Sequence, residues 1–497
     1  MNNNKNIIEL NNISKTFNGV RALKNFDFSI KRGEIHCLVG ENGSGKSTLI
    51  KIISGVLQPD NGSDIKINRK PYKKISTIDA INEGIEVIFQ DLSLFPNLTV
   101  YENISINERV SRRSVFINWR DTRRISREAL KNIGITIDLE KKVEELSIAQ
   151  RQLVAIARAI TKKLKLLIMD EPTSSLTKKE VNLLFKVIRN LKKKGISILF
   201  ISHKINEVLE ITDRVTVVRD GNKIGVFNVK DIDSRSISKH ILGEEISYSN
   251  YRAKIEKEKI LLEVKNMTRK NHFENINFKL FHGEILGITG LLGSGRTELA
   301  ISLYGLYRPD SGSIYINGRL AKISSTKDAI SYGIAYMPED RLSEGLFLSK
   351  SIGKNIVVNS LGKILNKIGL ISENRIKEYA NKWLNELGVS TESHGKKVSS
   401  LSGGNQQRIV LAKWIATEPR ILILDGPTIG IDIGAKFKIY EIIRKFSKRG
   451  IGIILISDEI EEVYNNCNRI LIMKEGRIIK RFQTDKVEVE QINRILG

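Results

Sequence analysis

Apolar residues run unbroken through IHCLVG (35–40), give way to glycines, and then reappear at helical spacing in KSTLIKIISGV (46–56). The same compact apolar runs recur in KLLIMDEP (165–172) and SILFISH (197–203), each beside an amphipathic stretch such as VNLLFKVIRNLKKK (181–194). Short strands that are apolar on both faces and alternate with helices predict a parallel sheet covered on both sides, an α/β fold. Between Gln90 and Ser147, INWRDTRRISREALKNI (117–133) reads as a helical insert.

The pattern occurs twice. GEIHCLVGENGSGKSTLIKIISGVLQPDNGS (33–63) aligns without gaps to GEILGITGLLGSGRTELAISLYGLYRPDSGS (283–313). LLIMDEPT (166–173) aligns with ILILDGPT (421–428), and ILFISHKINEV (198–208) with ILISDEIEEV (454–463). Two copies of one domain are expected, at 1–245 and 260–497. A linker at 246–259 is expected, the seam lying near YSNYRAKIEKEKI (248–260), where charges cluster and no apolar period holds.

Composition narrows the class. At 497 residues the chain exceeds what one hydrophobic core organises. Its 41% apolar and 28% charged residues describe a folded protein. No apolar run reaches the ~18 residues of a spanning helix, and MNNNKNIIEL offers no signal core, so export is not expected. Cys37 and Cys467 read as reduced thiols in separate apolar, strand-like contexts. The net charge of +25 with only 6% aromatics and no basic stripe does not favour nucleic acid as a partner. A lysine-rich solvated surface explains it, and attraction to an anionic membrane face is the second reading.

The first copy carries the chemistry. GENGSGKST (40–48) has the phosphate-loop spacing between a strand and a helix. Gly40, Gly43 and Gly45, with Asn42 and Ser44 between them, let backbone N–H groups turn inward on phosphate oxygens. Lys46, Ser47 and Thr48 open a helix whose positive end faces the same anion. Lys46 is expected to reach the β and γ phosphates of ATP, and Ser47 to offer its hydroxyl to Mg²⁺. In LLIMDEP, Asp170 serves the Mg²⁺ shell and Glu171 orients or deprotonates the attacking water. Such paired acids at the end of an apolar strand are costly to bury without a cation. Gln90 closes GIEVIFQ, His203 follows ILFIS, and ELSIAQRQ (145–152) opens a helix.

In this order the pieces resemble the ATP-binding cassette ATPases, over both halves of the chain. LSGGNQQR (401–408) is similar to that family's signature, the start of a helix. The tandem arrangement resembles the ATPase subunit of ribose- and galactose-type sugar importers, which also carry an asparagine after the signature glycines, as Asn405 here, and an arginine in the second phosphate loop. PEDR (338–341) followed by EGLFLSK resembles the same group.

The resemblance implies two cassettes packed head to tail, each ATP lying between the phosphate loop of one and the signature of the other. Site one then combines Lys46, Ser47, Gln90, Asp170, Glu171 and His203 with Ser402, Gly403 and Gly404. Within it, Glu171, His203 and Gln90 act on the reaction, and Ser47, Gln90 and Asp170 on the metal. Site two combines Gly290, Gly293, Gly295, Arg296, Thr297 and Asp425 with Ser147 and a poor IAQ signature. Gly426 stands where Glu171 stands, Asp458 where His203 stands, and Glu339 where Gln90 stands. Arginine does not copy a compact ammonium, glycine carries no base, and a carboxylate repels the γ-phosphate. One hydrolysing site is expected, with a second that at most binds nucleotide. Gly426 departs even from the importer pattern, which keeps the acid. Phe17 is the candidate to stack on adenine; in the second copy His272 and Phe273 both remain open.

The same resemblance implies a pair of integral membrane permease subunits as partners, an extracytoplasmic solute-binding protein acting indirectly, and a peripheral place on the cytoplasmic membrane face. Leu94, Phe95, Pro96 and Leu98, just past Gln90, either receive a permease helix or pack under the insert. A monosaccharide of the ribose, galactose or xylose class is the expected cargo, with a nucleoside or autoinducer-type signal as the alternative. Ribosome-associated tandem cassettes are the rival class, but they carry a long charged helical linker and keep both catalytic acids.

Overall fold

The structure, a computed structural model, describes residues 6–112, 117–173, 176–202, 204–243, 251–253, 255, 259–291, 293–366, 368–389, 391 and 393–496. The chain divides into two units, Met1–Ile246 and Ser247–Gly497. Strands of the first are β1 (Asn6–Phe17), β2 (Val20–Lys31), β3 (Ile35–Gly40), β4 (Asp64–Ile67), β5 (Lys70–Tyr72), β6 (Ile85–Ile88), β7 (Leu166–Asp170), β8 (Ser197–Ile201), β9 (Arg214–Arg219) and β10 (Asn222–Asn228). They form an antiparallel sheet of order β2-β1-β4-β5 and a second sheet of order β10-β9-β3-β8-β7-β6. In the latter β6, β7, β8, β3 and β9 run parallel and β10 closes the edge antiparallel.

Every residue of β3 and of β8 is buried, as a strand covered on both faces requires. The residue just before β3 sets its register. Glu34 accepts from the N–H of Lys31 at 2.7 Å and pairs with Arg214 of β9 at 2.8 Å. Burial alone would raise its pKa, but hydrogen bonds from His36 and Arg214 outweigh that and hold it at about 2.

The second unit repeats the plan with β11 (Ile260–Arg269), β12 (Phe273–Phe281), β13 (Ile285–Gly290), β14 (Ser311–Ile316), β15 (Arg319–Ala321), β16 (Ile334–Met337), β17 (Ile421–Asp425), β18 (Gly452–Ile456), β19 (Arg469–Lys474) and β20 (Arg477–Gln483). Its sheet orders, β12-β11-β14-β15 and β16-β17-β18-β13-β19-β20, match those of the first unit strand for strand. The glutamate device is repeated too: Glu284 accepts from Phe281 N at 2.9 Å and pairs with Arg469 at 2.6 Å.

Each unit inserts a helical layer between the strand ending near Gln90 or Glu339 and the strand bearing the acids. In the first, the insert predicted at 117–133 is the helix Trp119–Ile133, capped by Asn118 Oδ1, which accepts from Arg120 N at 3.1 Å and Asp121 N at 3.2 Å. It packs with helices Val100–Arg112 and Ile148–Ala159. The second unit's counterparts are Ile352–Val357, Glu373–Glu386 and Gly403–Ile415. Tyr251 and Ala253, in the stretch read as linker, hold to the second unit: Tyr251 N donates to Asn465 O at 2.9 Å, and Asn468 Nδ2 to Ala253 O at 2.8 Å. Both cysteines are buried free thiols, but Cys467 ends the helix Ile460–Asn466 instead of lying in a strand. No helix among the described residues is long and apolar enough to cross a membrane.

Candidate functional site

In the first unit, β3 stops at Gly40 and the loop turns directly into the helix Lys46–Ile53. Gly45 has φ 106°, and a Cβ there would lie 2.5 Å from the carbonyl oxygen of Ala22, so only glycine serves. A Cβ on Gly40 would meet Val218 O at 2.2 Å. Gly43 has φ 83° and Asn42 is exposed. Ser44 is buried, its Oγ without a hydrogen-bond partner among the described residues. Lys46 Nζ donates to the loop carbonyls of Gly40 (2.7 Å) and Glu41 (2.8 Å). Ser47 is exposed and Thr48 half-buried on the first helical turn.

Asp170 ends β7 and Glu171 follows with φ 49°, a left-handed backbone that costs a side-chain-bearing residue about 1–2 kcal/mol. This places a strained side chain at the C-terminal end of an interior strand, a candidate functional position. The Asp170 carboxyl is pushed up by burial and by the charge of Glu171, with Lys46 and Lys51 opposing. A half-buried acid with this bias gains from a cation beside it. Gln90 sits exposed two residues past the end of β6. Phe17 ends β1 with 44% of its surface exposed and Lys15 Nζ 5.8 Å from its ring centre. His203 lies outside the described residues.

The second unit has the same turn and a different interior. Gly290 and Gly295 are again pinned by backbone, their Cβ positions 2.3 Å from Met473 O and 2.6 Å from His272 O, and Gly293 has φ 76°. Arg296 replaces the lysine. Burial pulls its pKa down, the charges of Asp458, Asp425 and Glu339 push back, and its Nη1 has no partner among the described residues. Burial raises Asp425 to about 6 despite a hydrogen bond from Thr297. Glu339 is raised by burial and by Asp458. The charges of Asp458, Asp425 and Glu339 thus all act on the one guanidinium of Arg296, whereas Asp170 and Glu171 of the first unit stand near Lys46 and Lys51. Phe273 is buried in the core while His272 is exposed, so of the two only His272 offers a face to solvent.

Gly426 keeps the left-handed bend of Glu171, with φ 55°. A Cβ there would fall 2.4 Å from Ile429 Cδ1 and 3.2 Å from Glu339 Cγ. Gly426→Glu is expected to yield no second hydrolytic turnover in a Glu171→Gln background, measured as phosphate release. Recovery of even a tenth of wild-type turnover would show that the missing carboxylate was the pocket's sole defect.

The two helix starts at Ser147 and Ser402 also differ. Ser147 Oγ accepts from Gln150 N (3.3 Å) while Gln150 Oε1 accepts from Ser147 N (3.1 Å), a capping box that engages the hydroxyl within its own helix, and Ile148 is exposed. Ser402 makes no side-chain cap bond and is exposed, with Gly403 and Gly404 behind it. A Cβ on Gly404 would meet Ala435 Cβ at 2.5 Å, so the signature helix lies close against the helix Ile433–Lys448.

Sequence reasoning missed a paired clamp. Asn103 Oδ1 accepts from Phe95 N (2.9 Å) and its Nδ2 donates to Phe95 O (3.0 Å). In the second unit Asn355 does the same to Phe347, at 2.8 and 3.1 Å. Phe95 and Phe347 are held with 48% and 57% of their surfaces exposed. The aligned NI pairs of YENI and GKNI were the available signal.

A family model described as ABC transporter matches residues 23–174 and 273–429, one match in each unit. The chain belongs to the ABC transporter family. Each match carries one phosphate loop and one acid-bearing strand of this ABC protein. A Clostridium tetani ribose import ATP-binding protein is 42% identical over 98% of this chain and 97% of its own length. A Thermoanaerobacter pseudethanolicus xylose import ATP-binding protein is 41% identical over 98% of each. A solved ATP-binding cassette of an ABC transporter, in its ADP conformation, is 27% identical and covers 48% of this ABC protein and 99% of that chain, with a TM-score of 0.42.

Proposed function

We propose that this chain is the ATP-hydrolysing subunit of an importer for a monosaccharide of the ribose, galactose or xylose class, with one working nucleotide site. The carrying observation is the unequal pair of pockets. One joins Lys46, Asp170 and the strained Glu171, and the other sets Gly426 and three carboxylates around Arg296. Relatives named for ribose and xylose import match over nearly their whole length, which supports the cargo class.

In this reading the N–H groups of the 40–48 loop and Lys46 bind the β and γ phosphates of ATP. Ser47, Asp170 and Gln90 hold Mg²⁺, whose role is to neutralise phosphate charge. Phe17 stacks on adenine, and its exposure at the end of β1 supports that role. Glu171 orients the attacking water and takes its proton, with His203 completing the site. Ser402, with the N–H groups of Gly403 and Gly404, covers the same ATP from the other cassette, and the unengaged Ser402 hydroxyl supports this cross-matching. The counterpart built from Gly290, Gly293, Gly295, Arg296, Thr297 and Asp425 does not turn over.

ATP-driven closure of cassettes 1–245 and 260–497 then moves two permease subunits at the cytoplasmic membrane face, and phosphate release resets them. Phe95 and Phe347 on their asparagine clamps are built to receive a permease helix. A strain lacking this chain is expected to lose accumulation of one labelled sugar of the class, with restoration by the wild type and none by Glu171→Gln. Unchanged uptake of ribose, galactose and xylose would overturn the cargo. Recovery of the protein with ribosomes and not with membranes would overturn the importer.

A further inference from the structure

Arg341 joins two loops that the sequence holds far apart. Asp340 fixes its backbone by accepting from Leu342 N (2.8 Å) and Ser343 N (3.1 Å). The guanidinium then donates from Nη1 to Ile429 O (3.0 Å) and from Nη2 to Gly430 O (3.3 Å), in the loop after β17. The same Nη2 lies 3.1 Å from where a Cβ on Gly403 would stand, and Gly430 O lies 3.5 Å from that point. The signature glycine, the loop and the arginine therefore meet at one spot.

The hydrogen bonds of this guanidinium go to backbone carbonyls, and its Nε is buried without a partner among the described residues. Burial lowers its pKa, with the adjacent Asp340 as the opposing charge. A half-buried arginine that grips only carbonyls is a poor device for stability alone. In the first unit Leu92 stands at the position aligned with Arg341, so no guanidinium is available there; the carbonyls of Leu92 and Ser93 receive Arg158, at 3.0 and 2.8 Å.

We propose that Arg341 is a positioning residue for hydrolysis: it holds the signature turn Ser402–Gly404 at a fixed offset from the Ile429–Gly430 loop, so that both reach the ATP on Lys46 together. This rests on the cross-matched site proposed above. The planar fork matters as much as the charge, because its two Nη groups meet the two carbonyls at a fixed spacing, where an ammonium is a single point of donation on a flexible stem. The asymmetry follows as well, since the arginine accompanies the intact signature and is missing beside the degenerate one.

The test is steady-state ATP hydrolysis by the full-length protein with its permease. Arg341→Ala is expected to lower kcat about a hundredfold, the loss that a misplacement near 1 Å brings, while KM for ATP stays within about twofold because the phosphate loop that binds it is untouched. Arg341→Lys is expected not to rescue. Gly403→Ala presses on the same contact from the other side, so the double variant is expected to lose no more than the worse single one. Wild-type kcat in Arg341→Ala, a loss confined to KM, rescue by Lys, or additive losses would each overturn the proposal. If Arg341→Ala does not fold, Arg341→Gln with its KM and kcat decides alone: a kcat loss with KM kept supports the grip, and unchanged kcat removes it. Ser402→Arg separates the two levels. If it leaves hydrolysis intact, the cross-matched site itself is wrong; if it abolishes hydrolysis and Arg341→Ala does not, only the role of Arg341 fails.

Discussion

Glu171→Gln is expected to lower ATP turnover by about 10²- to 10⁴-fold, the usual loss for a well-placed water-activating group, while nucleotide binding persists. Arg296→Ala is expected to keep most turnover. Glutamine preserves the length and the left-handed backbone of Glu171, so the change removes the carboxylate base and little else. Arg296 stands among the charges of Asp458, Asp425 and Glu339 with Gly426 aligned to the acid, so in the proposed reading its removal touches only the pocket that does not turn over. Phosphate release and the affinity for a fluorescent ATP analogue, measured on both variants, check this. Equal losses in the two would mean that the pockets work alike.

A crossed outcome is expected at the two signature serines. Ser402→Arg should cut turnover by about 10²-fold or more, the scale of losing a donor aimed at developing charge, and leave the melting temperature nearly unchanged, because the hydroxyl caps nothing and is exposed. Ser147→Arg should do the reverse. Losing the capping box with Gln150 costs about 1 kcal/mol of stability, while turnover is expected to survive, because the proposed arrangement assigns that helix start to the pocket that does not turn over. Thermal melts beside turnover assays read both coordinates. A fall in activity from Ser147→Arg as steep as that from Ser402→Arg would contradict the head-to-tail arrangement.

The repeat, the parallel strands and the phosphate loop were legible in sequence because each rests on local pattern: IHCLVG has no polar face to show, and GENGSGKST carries its turn in its glycines. What escaped depended on partners distant in the chain. Whether Phe273 or His272 faces solvent is settled by pairing of Arg269 with Phe273 at the hairpin, which places Phe273 inward. The bend at Glu171 has no signature, since glutamate rarely adopts it, and only the aligned Gly426 hinted at it. PEDR was readable as a resemblance but not as a grip, because the carbonyls of Ile429 and Gly430 lie beyond a whole helical layer in sequence. Tyr251–Ala253 looked like linker since three residues are too few to show a period, yet they bond to the second unit. The hydroxyls of Ser147 and Ser402 differ in a cap bond to the backbone three residues on, which the aligned LSIAQ and LSGGN do not announce.

Carrying two matching folds on one polypeptide has a consequence for how such a machine changes. In a symmetric homodimer every substitution is made twice, so a glycine in place of the catalytic acid silences both sites at once. In a tandem chain the change at 426 is made once, and its partner position 171 stays under separate control. The tether also keeps the halves at a high effective concentration whatever the expression level. Covalent fusion thus frees one half to become a regulatory or purely mechanical companion without assembly ever mixing two identical silent copies.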